Sequence, residues 1–64
     1  MEHPLAYKFH QAYANLPLGI RGEIIAVVDG EPMSWKVVKL ELDGGTEMGF
    51  KVMEYLVRLG IFTK

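Results

Sequence analysis

Apolar residues recur at helical spacing in two stretches of the chain, and the first is residues 4–16. With a rotation of about 100° per residue, five apolar side chains of this stretch fall on one face of a helix. They are Leu5, Phe9, Ala12, Tyr13 and Leu16. Pro4 suits the first turn of a helix, and Pro17 cannot continue one. The pattern predicts an amphipathic helix over residues 4–16.

The second helical stretch is residues 46–59, whose polar side chains form a narrow stripe: Glu47, Lys51, Glu54 and Arg58. Thr46 is placed to cap the first turn, and Gly60 is placed to end the helix. Apolar residues fill the rest of the circumference, which is more than one core contact needs. The pattern predicts a helix that lies between two layers or packs against a second chain.

Residues 34–42 fit two structures. From Val38 to Leu42 apolar residues alternate with polar ones, as in a half-buried strand. Ser34 is equally suited to cap a helix in which Trp35, Val38 and Leu42 share a face.

The apolar run from Ile24 to Val28 is also ambiguous, because a short run fits either a strand or a buried helical turn. Asp29-Gly30 is a turn signal. Pro32 in a second strand could not donate a hydrogen bond to the ladder. Local signals alone leave residues 23–42 open between helices and a β-hairpin.

The longer pattern from Arg21 to Phe62 resembles the three-helix core of winged-helix, helix-turn-helix proteins. The first helix and its Pro-apolar-Ser connector match at Arg21, Ile24, Ile25, Val27, Val28, Pro32, Met33 and Ser34. The second and third helices match at Val38, Leu42, Met53, Leu56, Gly60, Ile61 and Phe62.

This resemblance implies an all-α fold in a single domain over residues 1–64, with an N-terminal amphipathic helix (1–16) and a helix-turn-helix core (21–62) without the β-wing. We expect helices at 4–16, 21–29, 34–42 and 46–59. We expect Trp35 to be largely buried together with Ile25, Val28, Val38, Leu42, Met53 and Leu56. The alternative is an α+β fold of order αββα, in which residues 23–28 pair with residues 35–42.

The resemblance also makes the last helix the recognition helix of a small DNA-binding protein, a transcription regulator. Its candidate contacts with double-stranded DNA are Lys36, Lys39, Phe50, Lys51, Tyr55 and Arg58. However, the net charge is −1 and evenly spread, whereas nucleic-acid binders usually carry a basic excess.

The alternative function is a non-enzymatic protein-interaction or dimerisation module on the same fold. Glu47 with Lys51 and Glu54 with Arg58 have the i, i+4 spacing of a self-paired, solvated helix face. A DNA binder should gather its basic side chains on one face, whereas an interaction module would leave them dispersed. The side chains concerned are Arg21, Lys36, Lys39, Lys51 and Arg58.

Composition adds three expectations. A chain of 64 residues without cysteine buries only about 60% of its unfolded surface and has no disulfide to stabilise it, so we expect a homodimer. The missing cysteines suit a cytoplasmic location, and neither a membrane-spanning apolar run nor a signal-peptide pattern is present. The low amide content, Gln11 and Asn15 alone, hints at a thermophilic source.

Candidate catalytic chemistry is sparse. His3 and His10 have no third ligand nearby in sequence, so we expect two solvated histidines and no metal site. Ser34 has no activating motif beside it. The Asp43–Thr46 corner lacks the length and the lysine of a phosphate loop. We therefore expect no enzyme, no cofactor and no small-molecule substrate.

Overall fold

The computed structural model describes residues 2–62, and in that range the chain forms three α-helices and a two-stranded antiparallel sheet. In chain order the elements are α1 (Ala6–Ala14), a short 3-10 turn (Leu18–Ile20), β1 (Ile24–Val28), β2 (Glu31–Ser34), α2 (Trp35–Asp43) and α3 (Glu47–Arg58). α2 packs against β2 and α1, and α3 packs against β1 and α2. The fold is α+β, with the order αββαα.

The all-α prediction is wrong, because the predicted helix at 21–29 is instead a turn followed by β1. Asp29 and Gly30 have φ values of 54° and 78°, the two positive angles of the type I′ turn that joins antiparallel strands. The β-branched residues of β1 favour the extended backbone. The αββα alternative has the correct class, but its second strand is misplaced, since residues 35–42 are helical.

Pro32 is compatible with β2 because of its position in the ladder. Val28 and Glu31 flank the two-residue turn, so they form a hydrogen-bonded pair. The next pair, Val27 with Pro32, exchanges no hydrogen bonds. The missing N–H of proline therefore removes nothing from the ladder.

The other three predicted helices are confirmed, with bounds that differ by one or two residues. The Ser34 hydroxyl accepts a hydrogen bond from the Val37 N–H at 3.1 Å, and the Thr46 hydroxyl accepts one from the Gly49 N–H at 3.0 Å. Both predicted caps are thus formed, and the Ser34 cap starts α2 directly at the end of β2. Within residues 2–62, no helix has the length and apolar character needed to cross a bilayer.

Phe9 of α1 lies at the centre of the core. Its side chain is fully buried, and its ring centroid lies 5.4 Å from that of Trp35 and 6.1 Å from that of Tyr13. Four predicted core residues are buried around it: Val28, Val38, Met53 and Leu56. The other three residues predicted for the core are partly buried and not fully enclosed. Trp35, Ile25 and Leu42 pack, partly exposed, at the edge of the cluster.

Candidate functional site

An open groove of about 480 Å³ lies between β1 and α3. One wall is the end of β1 and the hairpin turn, with Val27, Val28 and Asp29, and the other is the outer face of α3, with Phe50, Lys51, Glu54, Tyr55 and Arg58. Val27 is 56% exposed and Tyr55 is 38% exposed. The groove therefore combines accessible apolar surface with four charged side chains. We call it the β1–α3 groove.

Four of the six predicted contact residues lie in this groove: Phe50, Lys51, Tyr55 and Arg58. Lys36 and Lys39 do not, because α2 contributes nothing to its lining. The Lys39 Nζ lies 2.8 Å from the Asp43 Oδ2 and 5.6 Å from the centre of the Tyr13 ring. This hydrogen bond holds the pKa of Asp43 below its ordinary value of 3.8, helped by the charges of Lys39 and His10.

Four of the five basic side chains considered in the sequence analysis lie in two different places. The Arg21 Nη2 donates a hydrogen bond to the Tyr13 carbonyl at 3.1 Å, and the guanidinium lies 4.4 Å from the centre of the Tyr13 ring. Arg21 and Lys39 thus both lie against Tyr13, whereas Lys51 and Arg58 line the β1–α3 groove. Neither Arg21 nor Lys39 is among the residues that line the groove.

Lys51 connects α3 to the hairpin turn. Its Nζ donates a hydrogen bond to the Asp29 Oδ2 at 3.1 Å. This bond raises the pKa of Lys51 above its ordinary 10.5, and the negative charges of Asp29 and Glu47 raise it further. Within residues 2–62, Lys51 forms its ion pair with Asp29 and not with Glu47, so the predicted i, i+4 pair is replaced by a contact between two elements.

Glu54 is likewise paired outside its own helix. Its Oε2 lies 2.6 Å from the His3 Nε2, and the His3 ring centroid lies 4.8 Å from that of Phe50. His3 is only 5% exposed, so the prediction of a solvated histidine at this position is wrong. Glu54 is thus held toward His3, and the side chain of Arg58 has no hydrogen bond or ion pair with any residue in the described range 2–62.

The groove is lined by four apolar or aromatic side chains and four charged ones. Its only hydroxyl belongs to Tyr55, while the hydroxyls of Ser34 and Thr46 cap helices. No group of three or more His, Asp or Glu side chains in residues 2–62 could hold a metal ion. The groove offers apolar contacts, charged donors and carboxylate acceptors on one open surface.

Comparison of the chain with protein-family models, with curated protein sequences and with solved structures finds no match. The winged-helix resemblance stays a prediction. Of the three helices that it implies for residues 21–62, the second and third are present as α2 and α3, and the first is replaced by β1.

Sequence reasoning missed the strand wall of the groove and the contact of His3. The Asp29-Gly30 dipeptide was the available signal for the strand wall, since it favours a hairpin that places Val27 on an edge strand. No local signal marks the His3 contact, because its partner Glu54 is 51 positions away in sequence.

Proposed function

We propose that this chain is a non-enzymatic protein-interaction module whose partner binds in the β1–α3 groove. The observation that supports the proposal is the composition of the groove. Accessible apolar and aromatic side chains, Val27, Phe50 and Tyr55, share it with a balanced set of charges. Tyrosine and arginine are, with tryptophan, the residues most enriched among those that contribute strongly to binding at protein interfaces.

The charges of the groove favour a protein over a polyanion. Asp29 and Glu54 oppose Lys51 and Arg58, so the groove carries no net positive charge. Lys51 is already hydrogen-bonded to Asp29. A phosphate backbone would have to displace that bond and approach two carboxylates, whereas binding to nucleic acid is driven by uncompensated basic charge.

Duplex DNA is a second candidate partner. It is favoured by the geometry of α2 and α3, which are joined by a short turn at Gly44-Gly45 and leave α3 with an open outer face. In this candidate function Lys51 and Arg58 would meet the DNA from α3, and Lys36 and Lys39 would meet its backbone from α2.

The two candidates separate in a paired binding experiment. Peptides selected from a random displayed library against the wild-type chain are tested on Tyr55→Ala and Tyr7→Ala. Both tyrosines lie on helices and are exposed, by 38% and 54%, but only Tyr55 lines the groove. We expect Tyr55→Ala to weaken binding about tenfold or more and Tyr7→Ala to leave it unchanged. Peptides that bind both variants equally well would overturn the assignment of the groove.

The DNA arm is a titration of the wild-type chain with mixed-sequence duplex DNA at low salt. The interaction-module proposal predicts no binding. Binding that weakens as salt rises, and that Lys51→Ala or Arg58→Ala reduces without changing thermal stability, would overturn the proposal in favour of the second candidate.

A further inference from the structure

One edge of β1 has no backbone partner in residues 2–62. β1 pairs only with β2, and no other backbone hydrogen bond in that range reaches Ile24–Val28. The pair Val27–Pro32 exchanges no hydrogen bonds, since it follows the hydrogen-bonded pair beside the turn. The N–H and C=O of Val27 therefore face away from β2, toward the open edge of the sheet.

The two edges of this sheet differ in how readily they can add a strand. On the β2 edge, Pro32 has no N–H to donate, which is a common way of blocking edge pairing. β1 carries neither a proline nor a charge from Ile24 to Val28, and Ile24 and Val27 are each 56% exposed. The β1 edge is therefore the unprotected one.

The charges beside this edge suit a second copy of the same surface. The groove carries two carboxylates and two basic groups, so a twofold axis can set each sign opposite the other. Glu54 is oriented by His3, and Arg58 has no ion pair within residues 2–62. Because Arg58 and Glu54 are four residues apart on α3, an antiparallel copy of that helix would set Arg58 of each copy opposite Glu54 of the other.

We infer that β1 pairs antiparallel with β1 of a second copy about a twofold axis at Val27, which forms a four-stranded sheet of order β2–β1–β1–β2. The inference rests on the proposed function and names the partner for the β1–α3 groove. The pairing gives Val27 its backbone hydrogen bonds and covers its side chain. It also brings Arg58 of one copy toward Glu54 of the other. Four strands are more stable than an isolated two-stranded hairpin.

Single cysteines test this pairing, because the chain has none of its own. Residues facing each other at a hydrogen-bonded antiparallel pair have Cα atoms about 5.5 Å apart, which is the usual separation across a disulfide. Val27→Cys should therefore form a disulfide-linked dimer rapidly under mild oxidation. Ile24→Cys is the matched control, because it lies on the same strand with the same exposure. In the proposed pairing, the Cα atoms of residue 24 in the two copies would be roughly 20 Å apart.

The expected result is crosslinking of Val27→Cys at least about tenfold faster than that of Ile24→Cys. Equal crosslinking of both variants, or faster crosslinking of Ile24→Cys, would overturn the antiparallel register. A wild-type dimer in which Val27→Cys does not crosslink would place the dimer interface elsewhere and would also overturn the inference.

Sedimentation velocity gives a second readout that needs no cysteine. Val27→Lys should raise the dimer dissociation constant about tenfold or more, because two lysine side chains would meet at the axis. Val37→Lys, on α2 outside the groove, should leave it unchanged. A wild-type chain that is monomeric at every concentration would overturn this inference. In that case the proposed function would still stand if selected peptides bind the groove and Tyr55→Ala weakens their binding. If the peptides do not bind in this way, the proposed function would be refuted independently of the dimer.

Discussion

His3 donates a hydrogen bond from its Nε2–H to the Oε2 of Glu54 over 2.6 Å. The direction of this bond follows from the other ring nitrogen, since the Leu5 N–H donates to His3 Nδ1 at 3.0 Å. Nδ1 is therefore the acceptor and Nε2 carries the proton. One buried side chain thus caps the segment that leads into α1 and orients a carboxylate at the β1–α3 groove.

The first prediction concerns this contact. His3→Ala should lower the free energy of unfolding by about 1–3 kcal/mol, because it removes a backbone cap, a hydrogen bond to a carboxylate and a ring contact. Chemical denaturation measures the loss. His10→Ala is the control, since the His10 Nε2 lies 3.9 Å from the Asp43 Oδ1 and the side chain is partly exposed. Its free energy of unfolding should stay within about 0.5 kcal/mol of that of the wild type. Equal losses for the two variants would contradict the role of His3.

The second prediction concerns Gly49, where α3 approaches α2 closely. A Cβ at this position would lie 2.9 Å from the Glu41 carbonyl oxygen. Alanine normally favours a helix over glycine by about 1 kcal/mol, but this overpacking should make Gly49→Ala a net destabilisation of about 1–3 kcal/mol. Gly44→Ala is the matched control. Gly44 has a φ of −81° and only ordinary contacts, so alanine there should stabilise by about 0.5 kcal/mol. A stabilising Gly49→Ala would show that the helices are not packed this closely.

α1 and α3 could be predicted from sequence because their signals are local, whereas local signals left α2 open and only the winged-helix resemblance favoured a helix there. Thr46 and Ser34 cap helices at the positions that their residue types favour, and the apolar stripe of α1 buries Phe9 and Tyr13. β1 could not be predicted in the same way, because a five-residue apolar run has no periodicity that separates a strand from a helix. Pro32 counted against a strand, and its effect depends on the ladder position, which the turn at Asp29-Gly30 determines.

The winged-helix resemblance singled out Phe50, Lys51, Tyr55 and Arg58 of α3 as DNA contacts, whereas the β1 wall of the groove depended on the hairpin. The pairing of the charges was not predictable. Spacing along α3 suggested Glu47–Lys51 and Glu54–Arg58 pairs, but Asp29 binds Lys51 and His3 binds Glu54. Both contacts join elements that are distant in sequence, so they depend on the tertiary fold and not on the periodicity of one helix.

The third prediction concerns stability in acid. The hydrogen bond from Lys39 lowers the pKa of Asp43 in the folded chain, so the interaction stabilises the fold fully above the ordinary value of 3.8. It is lost as the pH falls through the lowered, folded-state pKa. Urea unfolding should show that the difference in the free energy of unfolding between wild type and Asp43→Asn becomes smaller as the pH falls through that range. When the same comparison is made in chains that carry Lys39→Gln, the pH-dependent change in this difference should be smaller. An equal change with and without Lys39→Gln would contradict the assignment of the lowered pKa of Asp43 to Lys39.

The fourth prediction concerns stability in alkali. The Asp29 hydrogen bond raises the pKa of Lys51 in the folded chain. Its contribution is therefore fully present below the ordinary value of 10.5 and is lost as the pH rises through the raised, folded-state pKa. The stability difference between wild type and Lys51→Gln should narrow over that interval. In chains that carry Asp29→Asn, the stability difference between Lys51 and Lys51→Gln should change less with pH. A difference that stays constant with pH in the wild-type background would rule out this ion pair in solution.

The β1–α3 groove is proposed to bind protein, with a second copy of the chain as its partner. Both parts of this proposal can be examined by two-dimensional amide NMR of the wild-type chain, recorded through a dilution series and then with mixed-sequence duplex DNA at low salt. We expect the amide signals of Val27, Tyr55 and Arg58 to shift with protein concentration while that of Tyr7 does not, and we expect DNA to change none of them. Groove signals that stay constant on dilution would refute the second copy as the partner, and groove signals that shift with DNA at low salt would refute the preference for protein.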